Sequence, residues 1–193
     1  MTTTLIFRDD WYAEATEARV LAVTERGAIV LDRTVFYPTG GGQPGDAGTI
    51  ARPDGSTIAI ATAVWDDPAK TIVAHVPAPG AALPEVGETV VARVDWGLRW
   101  PRMRMHTALH LLSVALPYPV TGGAIGDGEG RLDFDIPDAI ERDEVQAKLD
   151  ALLARDVPVK DRWITDAELD ANPGLVKTMS VQPPRGAGRV RLV

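Results

Sequence analysis

The chain lacks cysteine altogether, so neither disulfides nor thiolate metal ligands can form among its 193 residues. It also has no apolar run near the roughly 20 residues that a membrane-spanning helix needs. Its first residues, MTTTLIFRDDWYAEA, do not show the basic and then apolar pattern of a secretory signal peptide. We therefore expect a cytoplasmic protein without a membrane partner.

Basic residues are scarce relative to acidic ones, 20 against 27, which gives a net charge of −7 at pH 7. Such a chain is not coated with the positive surface that non-specific nucleic-acid binding requires, although a local basic patch stays compatible with it. Its hydrophobic fraction of 45% is that of an ordinary globular protein. Its length suits one large domain or two small ones.

Short strands with glycine and proline turns are predicted for residues 1–95. Two β-forming runs in ARVLAVTERGAIVLDRTVFY are separated at Glu25-Arg26-Gly27, and AGTIARPDGSTIAIATAVW turns at Pro53-Asp54-Gly55. The segments TIVAHVPA and ETVVARVDW are predicted to be further strands. Regular short strands of this kind indicate a small β-barrel-like or sandwich domain.

Helical spacing dominates after residue 95. One helix is predicted over Pro101–Leu116, with the proline in its first turn, and a second over Ile140–Ala154. The segment VPVKDRWI that follows is predicted to be a strand. The fold class is therefore α+β, with a β-barrel-like domain at residues 1–95 and an α+β domain at residues 96–193.

The segment FYPTGGGQPGD, residues 36–46, has three consecutive glycines between two prolines. Its GGGQPG fits the pattern G-x-G-x-x-G, but Pro44 and Gly45 exclude the helix that follows a dinucleotide loop, and a P-loop lysine is absent. Two interpretations stay open. The segment is a turn whose glycines adopt positive φ, or a surface where a ligand approaches bare backbone and Gln43 supplies a donor and an acceptor.

The segment RMRMHTALHLL places His106 and His110 four residues apart on the predicted helix. Both rings then project from one face and can bind one metal ion. The intervening Thr-Ala-Leu lacks the glutamate of the zincin motif H-E-x-x-H. A pair of ordinary helix histidines is the alternative, because zinc usually takes three or four protein ligands. His75 lies in a predicted strand and is expected to be structural. An adjacent apolar stripe is expected to face the core: Met105, Leu109, Leu112 and Leu116.

The segments DRTVFYPTGGGQPGDAGTI, DWGLRWPRMRMHTALHLL and TGGAIGDGEGRLDFD, in this order, resemble the freestanding alanyl-tRNA editing proteins. These proteins are relatives of the editing domain of alanyl-tRNA synthetase. The resemblance implies a β-barrel-like domain bearing the glycine motif and a following editing domain like that of alanyl- and threonyl-tRNA synthetases. It also implies zinc-dependent hydrolysis of the aminoacyl ester on wrongly charged tRNA(Ala). The wrong amino acid is expected to be chiefly serine, and in second place glycine.

The resemblance assigns roles to particular residues. Thr34 would contact the serine hydroxyl, and Gln43 would line the same catalytic pocket. The backbone of Gly40, Gly41 and Gly42 would lie against the aminoacyl-adenosine end of the tRNA, and His106 and His110 would bind zinc. Binding of ATP or another nucleotide is not expected for this chain alone.

Members of that family complete the metal site with a downstream C-x-x-x-H segment, and this chain ends at GAGRVRLV, where that segment would begin. We therefore expect the domain at 96–193 to be incomplete at its C-terminus. Two alternatives stay open: a binding module for the tRNA acceptor stem that has lost catalysis, and a metal-dependent hydrolase of a small ester or amide.

Two groups of arginines could contact phosphates at the acceptor end of tRNA(Ala) despite the acidic total. Solvated arginines paired with neighbouring carboxylates are the alternative for each of them. Arg104, next to the histidines, is assigned to substrate binding. The two groups are Arg99, Arg102 and Arg104, and Arg185, Arg189 and Arg191.

Overall fold

The computed structural model describes residues 1–137, 139–175 and 189–192. The chain forms two compact units: unit 1 contains residues 1–104 and 125–128, and unit 2 contains residues 105–124 and 129–193. The described part combines helices with a closed barrel, which confirms the predicted α+β class. Across the described residues, no helix is both long and apolar enough to cross a membrane.

Unit 1 is built on a closed barrel of six strands in the order β2-β3-β7-β6-β5-β8, in which all neighbouring strands pair antiparallel. A short parallel pair and one helical turn lie outside the barrel. The barrel strands are β2 (Ala15–Val23), β3 (Ile29–Leu31), β5 (Gly48–Ala51), β6 (Thr57–Trp65), β7 (Val73–Pro77) and β8 (Thr89–Val94). The elements outside it are β1 (Thr4–Leu5), α1 (Ile6–Asp9) and β4 (Arg33–Thr34).

Alternation of side chains along the strands fills the barrel. In β8, Val90, Ala92 and Val94 are buried while the residues between them are exposed. Each fully buried branched side chain contributes about 1.5–3 kcal/mol. The predicted hairpin at Pro53-Asp54-Gly55 is confirmed, and the two runs separated at Glu25-Arg26-Gly27 also pair antiparallel. The two turns contain Gly27 and Gly55, with φ values of +78° and +84°.

Helix α2 spans Trp96–Ala115, so the prediction that it begins at Pro101 is wrong. The Asp95 carboxylate accepts the Leu98 N–H at 3.3 Å and so caps the N-terminus of the helix. The helix therefore begins five residues before Pro101. Pro101 therefore lies in the second turn. Because proline has no N–H, residue 101 donates no helical hydrogen bond to the carbonyl of Gly97. Gly97 is exposed, so water can reach this carbonyl.

Unit 2 contains two further strand pairs and two further helices among its described residues. The predicted second helix is confirmed as α3 (Arg142–Leu153). The predicted strand at VPVKDRWI begins later than expected, as β11 (Arg162–Thr165), which pairs antiparallel with β12 (Arg189–Leu192). Helix α4 (Asp166–Ala171) starts with a capping box of Thr165 and Glu168. The remaining pair is β9 (Val120–Ile125) with β10 (Gly130–Phe134).

Candidate functional site

The glycine segment between β4 and β5 forms a tight turn. Gly40 and Gln43 exchange two backbone hydrogen bonds of 3.0 Å across it. Gly41 and Gly42 occupy its tip with φ values of +60° and +79°, which non-glycine residues rarely adopt. The expectation of positive φ is confirmed for these two residues, whereas Gly40 has an ordinary φ. The exposed tip presents backbone without side chains, and Gln43 is buried behind it.

Several hydrogen bonds hold this turn firmly within unit 1. The Tyr37 hydroxyl donates to the Gly40 carbonyl at 3.0 Å, and the Ile125 N–H donates to the Gly42 carbonyl at 2.8 Å. Thr39 receives the Gly45 N–H on its hydroxyl at 2.9 Å. The turn tip is therefore both exposed and fixed, which is the condition under which bare backbone can bind a ligand without an ordering cost.

A buried ion pair supports the segment from below. Asp46 accepts hydrogen bonds from the Arg99 guanidinium at 2.5 Å and from the Tyr37 N–H at 2.7 Å. Arg99 also donates to the Val35 carbonyl at 3.1 Å. Burial raises the pKa of Asp46, and the positive charge of Arg99 opposes that rise. Removing one partner of such a pair costs about 3–5 kcal/mol, because the other charge is left buried and unpaired.

The structure corrects the role expected for two of the arginines. Arg99 and Arg102 are buried, so their side chains are not presented to phosphates of an RNA. Arg102 donates to the Gly45 carbonyl at 3.1 Å and to the Asp127 carboxylate at 2.9 Å. Both arginines therefore fix the base of the glycine segment. Arg104, by contrast, is exposed on α2. Arg185 lies outside the described residues.

Thr34 ends β4 and is fully buried in a hydrogen-bonded chain with His75. The His75 Nδ1 lies 2.9 Å from the Ile29 carbonyl, which can only accept, so Nδ1 carries the proton. The Nε2 of the neutral ring then accepts the Thr34 hydroxyl proton across 2.7 Å. The same hydroxyl accepts the Phe36 N–H at 3.0 Å. One lone pair of the Thr34 oxygen is left, so a ligand can only donate to it.

Burial keeps His75 neutral. Desolvation lowers its pKa from 6.5 to about 4, although the hydrogen bond to Ile29 opposes this effect. The histidine therefore stays a hydrogen-bond acceptor for Thr34 at neutral pH. Nothing in the sequence links these two residues beyond the fact that His75 is the one ionisable residue within the apolar run TIVAHVPA.

In unit 2, α2 brings His106 and His110 together, as their spacing predicts. Their rings are nearly parallel, with centroids 5.0 Å apart and planes at 11°. Burial, and then the neighbouring His110, lowers the pKa of His106 to about 4, so its imidazole is neutral at pH 7. Leu109 and Leu116 of the adjacent stripe are buried, as expected.

Two imidazoles provide only part of the set of donor atoms that a zinc ion needs. Within residues 1–137, 139–175 and 189–192, no cluster of three or more His, Cys, Asp or Glu side chains could hold a metal ion. A tetrahedral zinc site needs four ligands, of which at least three usually come from protein. His106 and His110 therefore fit zinc in the kind of atom they offer, and would supply two of the ligands of such a site.

Comparison with known proteins finds relatives that act on alanyl-tRNA or are alanine–tRNA ligases, according to their names. Residues 8–98 match the family model described as tRNA synthetases class II (A). An alanyl-tRNA editing protein AlaX-M from Methanosarcina acetivorans is 31% identical over an alignment covering 100% of this chain and 82% of the relative. AlaX-M from Methanosarcina mazei is 37% identical over 75% of this chain and 59% of the relative. An alanine–tRNA ligase from Korarchaeum cryptofilum is 35% identical over 86% of this chain.

The extent of these matches separates the two kinds of relative. The chain spans 59% to 82% of the two editing proteins, but its match covers only 19% of the ligase. The ligase thus contains a comparable segment within a much longer protein, whereas the editing protein from M. acetivorans is matched along most of its length. The resemblance expected from the sequence is confirmed: the chain belongs to the AlaX-M family of alanyl-tRNA editing proteins.

Proposed function

We propose that the protein is a cytoplasmic trans-editing hydrolase that cleaves the aminoacyl ester of tRNA(Ala) mischarged with serine, and in second place with glycine. The observation that carries the proposal is its likeness to an alanyl-tRNA editing protein along the whole chain. The chemistry explains why such an enzyme is needed. A pocket that accepts alanine cannot strongly reject a smaller side chain or one that only adds a hydroxyl, so errors must be hydrolysed at a second site.

In this proposal, the turn tip at Gly41 and Gly42 presents its backbone to the aminoacyl-adenosine end of the tRNA. The remaining lone pair of the Thr34 hydroxyl accepts the hydroxyl proton of serine, which alanine lacks. Because the Thr34 side chain has no exposed surface, a substrate reaches it only after a neighbouring group moves aside. Gln43, buried behind the turn, lines the same pocket and helps to orient the substrate.

His106 and His110 would hold a zinc ion. A bound zinc ion supplies Lewis-acid chemistry, by activating water or by polarising and positioning an ester carbonyl. The imidazole of His106 would contribute its ligand atom without giving up a proton, because its low pKa keeps it unprotonated at pH 7. In the part of the chain that the structure describes, these two side chains would be joined by no third His, Cys, Asp or Glu.

Deacylation of three charged forms of tRNA(Ala) tests the proposed function. We expect release of serine and glycine well above the spontaneous rate, while alanyl-tRNA(Ala) is hydrolysed far more slowly. A small aminoacyl ester should be a poor substrate, because the tRNA part of the substrate supplies binding energy. Tight binding of tRNA(Ala) without any deacylation would instead indicate an acceptor-stem binding module, and efficient cleavage of the small ester would indicate a general hydrolase.

Substitution of Thr34 tests the origin of selectivity. Thr34→Val removes the hydroxyl, and leaving the polar partners of such a group unsatisfied costs about 1–3 kcal/mol. If that cost is felt in the transition state for serine, the ratio of seryl- to glycyl-tRNA(Ala) hydrolysis should fall about 5- to 150-fold. The same substitution should lower thermal stability, because the Nε2 of His75 loses its buried donor.

Two matched variants separate selectivity from stability. His75→Leu breaks the same hydrogen bond but keeps the Thr34 hydroxyl, so it should reduce the melting temperature while retaining much of the preference for serine over glycine. Thr34→Ser should retain both properties. An equal ratio of seryl to glycyl hydrolysis in Thr34→Val and in the unsubstituted protein would show that another residue recognises serine.

A further inference from the structure

An exposed cluster of aromatic rings lies on unit 1 where α2 begins. Tyr12 is 62% exposed and Trp100 is 39% exposed. With Trp96 they form three ring pairs whose centroids lie 6.0, 6.1 and 6.2 Å apart. Large aromatic side chains gain most from burial, so a group of them left in water marks a surface for a binding partner.

Trp96 holds this cluster in a fixed orientation. Its side chain is half-buried and packs against the core of the barrel. The ring of Trp100 stacks on it, with the two planes at 17°. Because the inner ring is anchored, the exposed part of the Trp100 ring, 39% of that residue's surface, is held in a fixed position as a flat platform. Such a platform binds another flat ring with little loss of conformational freedom.

Charges are distributed unequally around the cluster. Arg104 is exposed one helical turn beyond Trp100, on the same face of α2. At the other end, the Asp10 carboxylate accepts the Tyr12 N–H at 2.9 Å and Asp95 caps the helix. A positive charge therefore lies at one end of the aromatic platform and negative charges at the other. This pattern suits a ligand with a planar group beside an anion.

We propose that Tyr12, Trp100 and Arg104 form a binding surface for an unpaired nucleotide in the single-stranded 3′ tail of an RNA, other than the terminal adenosine assigned to the glycine turn. The base stacks on the exposed part of the Trp100 ring, beside Tyr12, and the adjoining phosphate pairs with the guanidinium of Arg104. Aromatic stacking combined with a nearby cation is the usual way in which proteins hold single-stranded nucleic acid without reading its sequence. The identification of the ligand as RNA rests on the proposed function, since the substrate there is a tRNA.

Binding of a labelled hairpin RNA that ends in an unpaired 3′ tail, measured by fluorescence anisotropy, tests this surface. Trp100→Ala should raise the Kd about 5- to 150-fold. Arg104→Gln should reduce the slope of log Kd against log salt concentration by about 1. Trp163→Ala is the matched control, because Trp163 is also 39% exposed but its ring is covered by the Arg189 guanidinium at 4.6 Å. It should leave the Kd unchanged.

The same hairpin with a blunt end should bind Trp100→Ala and the unsubstituted protein equally. Unchanged affinity of Trp100→Ala for the tailed RNA, with its fold verified by circular dichroism, would disprove the surface. So would a self-association that Trp100→Ala abolishes while RNA affinity stays the same. Binding requires no hydrolysis, so tail-dependent binding through Trp100 in a protein that never deacylates tRNA would refute the proposed function and leave this surface intact.

Discussion

Replacing Gly45 with alanine should destabilise unit 1 by about 3 kcal/mol or more, near the upper end of the range for overpacking a well-packed site. A Cβ atom at this position would lie 2.0 Å from the Ala63 carbonyl oxygen and 2.7 Å from the Thr62 hydroxyl. The carbonyl cannot withdraw easily, because it also accepts the Thr39 N–H at 2.9 Å. Calorimetry of the purified variant should show a lowered melting temperature, or a protein that does not fold.

Gly40→Ala is the matched control within the same segment. Its Cβ would lie 3.6 Å from the Trp65 indole nitrogen, an ordinary contact, and its φ is not positive. We expect its stability to change by no more than about 0.5 kcal/mol. A melting temperature for Gly45→Ala equal to that of Gly40→Ala would contradict the packing argument.

The same control distinguishes the two interpretations of the glycine segment. If a ligand lies against this backbone, Gly40→Ala should slow deacylation without lowering the melting temperature. If the segment is only a turn, the rate of deacylation and the melting temperature should both stay unchanged. Valine at Gly41 or Gly42 cannot make this distinction, because φ values of +60° and +79° strain a β-branched residue whether or not a ligand binds.

Local patterns in the sequence were sufficient to predict the barrel strands. The alternation in TVVARV and the turn glycines Gly27 and Gly55 act over a few residues, and the structure uses them as predicted. The helical spacing of His106 and His110 is equally local, which is why their position on one face of α2 could be expected. Features decided within one turn or one hairpin are therefore the ones that a single sequence reveals.

Features that depend on contacts distant in sequence could not be predicted. Arg99 pairs with Asp46 across 53 positions, and Thr34 meets His75 across 41. A charged residue in a helix normally faces solvent, and only the folded barrel shows that Arg99 is buried. The early start of α2 was missed for a different reason, since the cap at Asp95 outweighs the unfavourable position of Pro101.

His106→Ala should remove both zinc binding and deacylation. In the proposed site, the variant loses one of two imidazole ligands on α2, and a change even in the outer shell of a zinc site costs about 10- to 100-fold in affinity. The loss of a direct ligand should exceed that. Zinc content after dialysis against a zinc buffer, measured by mass spectrometry, gives a readout that does not depend on activity. His110→Ala should have the same effect.

His75→Leu serves as the control for this experiment. It removes a histidine that lies in the barrel core and is not a ligand in the proposed zinc site. It should retain the zinc content of the unsubstituted protein even though its stability falls. Zinc lost from the His106 and His110 variants but not from His75→Leu would assign the metal to α2. Full deacylation by a metal-free preparation, or by His106→Ala, would instead show that these two imidazoles are ordinary helix histidines and that hydrolysis proceeds without the zinc ion.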